Sequence, residues 1–104
     1  MAEKRWIEIV SLRLSGTGNR KAILDIFDQV SQEKRAHPDY FHYAELFANT
    51  TIETDWSIYI HWPHQAGRPS KTVLGSSIAE AFQSLGLVSH SVWEKKYAKR
   101  GTDS

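Results

Sequence analysis

The stretch ETDWSIYIHW, residues 53–62, alternates two kinds of side chain. Trp56, Ile58, Ile60 and Trp62 fall in one phase, and Asp55, Ser57, Tyr59 and His61 in the other. A period of two is that of a β-strand, whose successive side chains point to opposite faces of a sheet. The apolar phase belongs against a core of helices, and the polar phase looks the other way. Immediately before it, NTTIE reads as a polar hairpin loop, so the Asn49-Thr50-Thr51 sequon is a turn signal first. Residues 40–48, YFHYAELFA, form the preceding strand, with Phe41, Tyr43 and Phe47 in one phase and Tyr40, Ala44 and Leu46 in the other. A hairpin turning at Thr51 and Ile52 sets His42 opposite His61. A slip of one residue in that register would flip the pairing.

Outward from this hairpin the chain alternates strands and helices. Residues 5–14 (RWIEIVSLRL) read as a first strand, with Trp6, Val10, Leu12 and Leu14 in one phase and Ile7 and Ile9 in the other. SGTGN breaks the chain. Ala22, Ile23, Ile26, Phe27 and Val30 then recur at helical spacing, predicting a helix over about 19–35. Thr17 or Asn19 is its expected cap, and Pro38 ends any continuation. After Trp62 the segment PHQAGRPS excludes regular structure. Val73, Leu74, Ser77, Ile78, Ala81, Phe82 and Leu85 mark a second amphipathic helix, with Ser70 expected as N-cap and Gly86 as its C-terminal stop. Residues 87–94 make a last strand, and 95–104 a basic tail. The whole chain, 1–104, reads as a single domain ordered over about 5–95.

The order strand, helix, strand, strand, helix, strand predicts an α+β ferredoxin-like βαββαβ sandwich, with an antiparallel sheet in the order 4-1-3-2. Both helices then cover one face. A sheet covered on one side should be polar on the other. Here the first, second and fourth strands are apolar in both phases, the fourth with Leu87 and Trp93 on one side and Val88 and Val92 on the other. So much uncovered apolar surface calls for a partner, and a symmetric second copy is the commonest cover. The expectation is a homodimer.

With 104 residues the chain buries roughly two thirds of its unfolded surface and needs no staples. It has no cysteine, which excludes disulfides, thiol catalysis and thiolate-bound zinc or iron–sulfur centres. A net charge of +1 gives no electrostatic footprint for nucleic acid. The start MAEKRWIEIV carries no apolar block of a secretion signal, and no run approaches a membrane span. The expected setting is cytoplasmic, without nucleic acid or membrane as partner. RNA recognition modules share the element order, but DWSIYIHW lacks their glycines and basic first position. Gly16 and Gly18 suit a tight turn better than a phosphate cradle, since a lone G-x-G lacks the rest of either nucleotide fingerprint.

The aromatic-rich third strand that ends at Trp62 and leads through a loop into a helix near Ser70 resembles the dimeric α/β-barrel superfamily, over residues 5 to 95. Within it, the pattern is most similar to the small antibiotic-biosynthesis-monooxygenase-like proteins. That resemblance implies two sheets joined into one barrel, a site for a flat aromatic or quinone-like substrate, and oxygenation with no metal or flavin cofactor. Trp62 is the position that matches the family's third-strand tryptophan.

The residues that could carry such chemistry cluster on the same strand. Tyr59 and His61 are the candidate catalytic pair, since imidazole exchanges protons near neutrality and a phenol beside it supplies a hydrogen bond. Trp62, Trp56 and His64 are the candidate substrate-binding groups, Trp62 because it stands at a strand end beside an irregular loop. The bland reading makes the polar phase a satisfied stripe along a dimer barrel and Trp6, Trp56, Trp62 and Trp93 core residues. His37, His42, His61, His64 and His90 show no ligand spacing, so no metal site is expected. A non-catalytic regulatory or assembly module remains the alternative to an enzyme.

Overall fold

A computed structural model describes residues 5–16, 19–36, 43–63, 67–99 and 101. The elements are β1 (Trp6–Leu14), α1 (Arg20–Ala36), β2 (Tyr43–Ala48), β3 (Asp55–Trp62), α2 (Val73–Gln83) and β4 (Gly86–Glu94). They form one antiparallel sheet in the order β2-β3-β1-β4, the expected ferredoxin-like arrangement. Both helices lie over one face.

The period-two pattern decides what that face buries. Val10, Leu12, Ile58 and Ile60 are almost wholly inaccessible and meet Ile23 and Val30 of α1 and Ile78 and Phe82 of α2. The i, i+3, i+4, i+7 spacing from Ile23 to Val30 turns one stripe of α1 toward them. Each fully buried Ile or Phe contributes about 1.5–3 kcal/mol relative to exposure, so a charge at Ile58 or Ile60 would break the layer. The opposite face carries Ile7, Ile9, Ser11, Arg13, Tyr43, Glu45, Phe47, Ser57, Tyr59, His61, Leu87, Ser91 and Trp93, in phase across the four strands. On it Leu87 is 75% and Trp93 58% exposed. Trp93 is therefore a surface ring, where the sequence favoured a core one, because its phase faces away from the helices.

Three local expectations are corrected. The helix α2 is capped by Thr72, not Ser70: its side chain accepts from the Gly75 N–H at 3.0 Å. Gly86 does not stop α2, which ends with Ser84 as C-cap. It opens β4, where a Cβ would stand 2.0 Å from the Arg13 carbonyl oxygen, so close strand approach selects glycine there. In the hairpin, Tyr43 rather than His42 lies opposite His61. The register is set by Asn49, whose side-chain oxygen accepts from the N–H of Thr51 at 2.7 Å and of Ile52 at 2.8 Å in an Asx-type turn. Thr17, Gly18, His37, Pro38, residues 40–42 and His64 lie outside the described residues.

Candidate functional site

The sheet separates the expected site residues instead of gathering them. Trp56 and Trp62 lie on the helix side, and Tyr59 and His61 on the open side. Trp62 therefore opens to a different side of the sheet from Tyr59 and His61. Alternation along β3 requires this, since neighbours in sequence face opposite ways. Each side has its own polar cluster.

On the helix side the centre is Glu8, a carboxylate in the apolar phase of β1 with no accessible surface. Burying a charge is costly unless donors replace the lost water. Four do so. Trp62 Nε1–H donates to Oε1 at 3.0 Å and the Thr72 hydroxyl to the same oxygen at 2.7 Å. The Thr72 backbone N–H donates to Oε2 at 2.8 Å, and His90 Nε2 stands 2.6 Å from Oε2. An ionised carboxylate only accepts, so with Glu8 ionised the donor of that bond is His90 Nε2. Because Thr72 also caps α2, the carboxylate sits at the positive end of that helix. Its approach is permitted by Gly75, where a Cβ would fall 1.9 Å from Oε2. The group thus ties β1, β3, β4 and α2 together. Trp6 stacks on Trp62 with centroids 5.7 Å apart, and its buried indole N–H meets no acceptor among the described residues. All four Glu8 contacts are saturated, so this cluster is built to hold an element in place.

The open side is different. His61 Nε2 lies 2.7 Å from Glu45 Oε1, and its ring stacks on Tyr43 at 4.2 Å and 7°. With Glu45 ionised, Nε2 is the donor of that bond and Nδ1 is the ring's other nitrogen. Tyr59, one strand position pair away on the same face, meets Phe47 edge-on at 5.0 Å. Beside Tyr59 lies an open concavity of about 570 Å³ floored by Ser11, Ser57 and Ser89 and walled by Phe47 and Leu87. Ser11 and Ser57 hydrogen-bond across it at 2.9 Å. At its far end Arg13 grips Asp55 with two bonds, 2.8 and 2.9 Å. Those bonds hold the Asp55 carboxyl below the usual carboxylate range and raise Arg13 further. An apolar rim with a few convergent polar groups is the usual make-up of a small-molecule site.

Among the described residues no three His, Asp or Glu side chains converge as a metal set, and no helix is long and apolar enough to cross a membrane. Sequence reasoning missed Glu8 and left His90 unpaired. The signal for Glu8 was present: a charge in phase with Trp6, Val10 and Leu12 stands where water cannot reach, and needs donors. Nothing in the sequence named those donors.

Fold and clusters together define a ferredoxin-like α+β domain with a saturated polar network under its helices and an aromatic, partly polar open sheet face. Two solved structures share that fold. One is a conserved protein of unknown function from Bacteroides thetaiotaomicron VPI-5482, described as a possible oxidoreductase, at 15% identity and TM-score 0.59 over 91% of this chain and 100% of that one. The other is a provisionally assigned antibiotic biosynthesis monooxygenase from Caulobacter crescentus CB15, at 10% identity and TM-score 0.61 over 93% and 92% of the two chains. No protein-family model and no curated protein matches the sequence. At these identities the likeness is one of fold.

Proposed function

We propose that a second copy closes the open sheet face and that the chamber so formed binds a small aromatic molecule. The observation that carries this reading is a 570 Å³ concavity lined by Tyr59 and Phe47 on the open face, with the Glu45–His61 pair outside its lining, beyond Tyr59 on the same face. The volume suits a molecule of two or three fused rings, within the range of about 300–1,000 Å³ of small-molecule sites. Closure by a copy would also cover Phe47, Leu87 and Trp93, which a monomer leaves in water. The oxidoreductase and monooxygenase descriptions of the two structural neighbours point the same way.

The enzymatic form of this reading is oxygenation without a cofactor. His61 Nδ1 takes a proton from a phenol, or from a methylene flanked by aromatic rings, and Glu45 steadies the imidazolium that forms. Tyr59 donates a hydrogen bond to the oxygen of the resulting anion. The electron-rich anion supplies the electrons to dioxygen. One oxygen atom enters the attacked carbon as a carbonyl, and the other leaves as water, taking the two methylene hydrogens or, from a phenol, the hydroxyl hydrogen and the hydrogen of the oxygenated ring carbon, so the substrate is its own reductant.

Titration of the purified protein with anthrones, quinols and haem, followed by tryptophan fluorescence and by oxygen uptake, tests both levels. Binding with turnover that falls at least tenfold in His61→Ala supports the enzyme. Binding without turnover supports the alternative, a non-catalytic regulatory or assembly module. Undiminished binding after Phe47→Ser and Tyr59→Ala would remove the open face from consideration.

A further inference from the structure

β4 is an edge strand, and its sequence is close to a palindrome about His90: Leu87-Val88-Ser89, then His90, then Ser91-Val92-Trp93. Edge strands left bare pair with other chains, and proteins blunt them with proline, lysine or bulges. Residues 86–93 hold none of these residue types, and their pairing with β1 is unbroken.

The backbone phase of the free side follows from two bonds. The Ser15 N–H donates to the Leu85 carbonyl at 3.0 Å, and the Lys95 N–H to the Arg5 carbonyl at 3.0 Å. In an antiparallel ladder, opposed residues alternate between hydrogen-bonded and non-hydrogen-bonded pairs. Odd-numbered β4 residues therefore bond to β1, and Val88, His90 and Val92 direct their N–H and C=O groups outward. The Leu14 N–H bonding the Thr54 carbonyl at 2.8 Å agrees, since even residues of β1 serve β3. No described strand pairs with that outer side.

We propose that β4 pairs antiparallel with β4 of a second copy about a two-fold axis at His90. Isologous contacts demand a self-complementary surface, and this strand is one. His90 opposes His90, and Val88 opposes Val92, so that outward groups meet outward groups and about six backbone hydrogen bonds form. On the helix face valine meets valine. On the open face Ser89 meets Ser91, and Leu87 meets Trp93, which covers the two most exposed apolar side chains of the strand. A shift of two in the register sum sets Val88 against His90 or Ser89 against Trp93 and loses both matches. The result is a continuous eight-stranded sheet with all four helices on one side. This rests on the reading above only for its partner, a second copy: the seam sets the two open faces side by side in one sheet and does not by itself close one over the other.

The absence of cysteine makes the test clean. Ser89→Cys and Ser91→Cys chains are prepared separately, mixed, mildly oxidised and run on a non-reducing gel, beside sedimentation of the native protein. At the proposed register residue 89 faces residue 91 of the other copy at about 4.5 Å between Cα atoms, while two copies of residue 89 stand about 7–8 Å apart, beyond disulfide reach. A cross-linked dimer from the mixture, at least fivefold more abundant than from either variant alone, is the expected result. Cross-linking of either variant by itself overturns the register. A dimer by mass that never cross-links overturns the seam while leaving closure by a second copy intact, and a monomer by mass overturns both.

Discussion

Replacing Gly75 by alanine inverts an ordinary rule. Alanine in a helix is favoured over glycine by up to about 1 kcal/mol. At Gly75, the third residue of α2, the new methyl would lie 1.9 Å from Glu8 Oε2, 2.3 Å from Cδ and 2.8 Å from Oε1. Either the carboxylate withdraws or the helix start lifts from the sheet. In both cases the Glu8 bonds to Thr72 N and His90 break first, since they share Oε2. A hydrogen bond to a charged group is worth about 1.5–3 kcal/mol, so losing two costs about 3–6 kcal/mol. Subtracting the helix gain leaves a net loss of about 2–5 kcal/mol, a large part of the stability of a domain of this size. Equilibrium urea unfolding followed by circular dichroism reads it, together with a fall in Tm of about 10 °C or more. The stronger test is a double-mutant cycle with Glu8→Ala, which removes the carboxylate the methyl would strike. In that background Gly75→Ala should stabilise, giving a coupling of about 3 kcal/mol or more. Where Glu8→Ala proves too unstable to measure, the sign of Gly75→Ala in the native background decides alone. A neutral or stabilising Gly75→Ala would refute the argument that the carboxylate occupies that space.

Three further outcomes follow from other parts of the molecule. Thr72→Val removes both the cap of Gly75 and a donor to Glu8, and should lower stability by about 1–3 kcal/mol in the same urea assay, against a near-neutral Ser70→Ala. Asp55, its folded-state pKa lowered by Arg13, binds its proton more readily when unfolded, so its contribution is present at neutral pH and lost as the pH falls below about 4. Urea midpoints at pH 7 and pH 3 should therefore differ less in Asp55→Asn than in the native chain, by a small amount because the pair is exposed, and an equal drop in both would contradict it. On the proposed closure of the open face by a second copy, Phe47→Lys places a charge on that face and should shift sedimentation toward monomer by at least tenfold in dissociation constant, with Tm little changed.

How much was legible beforehand differs between fold and site. The strand phases of 53–62 and the helical spacing of Ile23 to Val30 were readable because burial imposes period two and period 3.6 on any chain that folds this way. They delivered the element order, the sheet order and the side of the sheet that the helices cover. The cap at Thr72, the one-residue hairpin register and the role of Gly86 were not readable. Each depends on a distant group: Glu8 for Thr72, the Asn49 turn for the hairpin, and the Arg13 carbonyl for Gly86.

The candidate site divides the same way. From the sequence alone, Tyr59 and His61 share a strand face, and Trp56 and Trp62 share the other. That much is fixed by alternation. Which groups those faces meet required the tertiary structure, because Glu45 is 16 residues from His61, while Thr72 and His90 are 64 and 82 residues from Glu8. Local periodicity carries the first kind of information, and only a specific packing of strands and helices carries the second. A buried carboxylate shows most clearly where the boundary lies: the sequence shows a charge in an apolar phase, and the fold alone supplies the four donors that let it stay there.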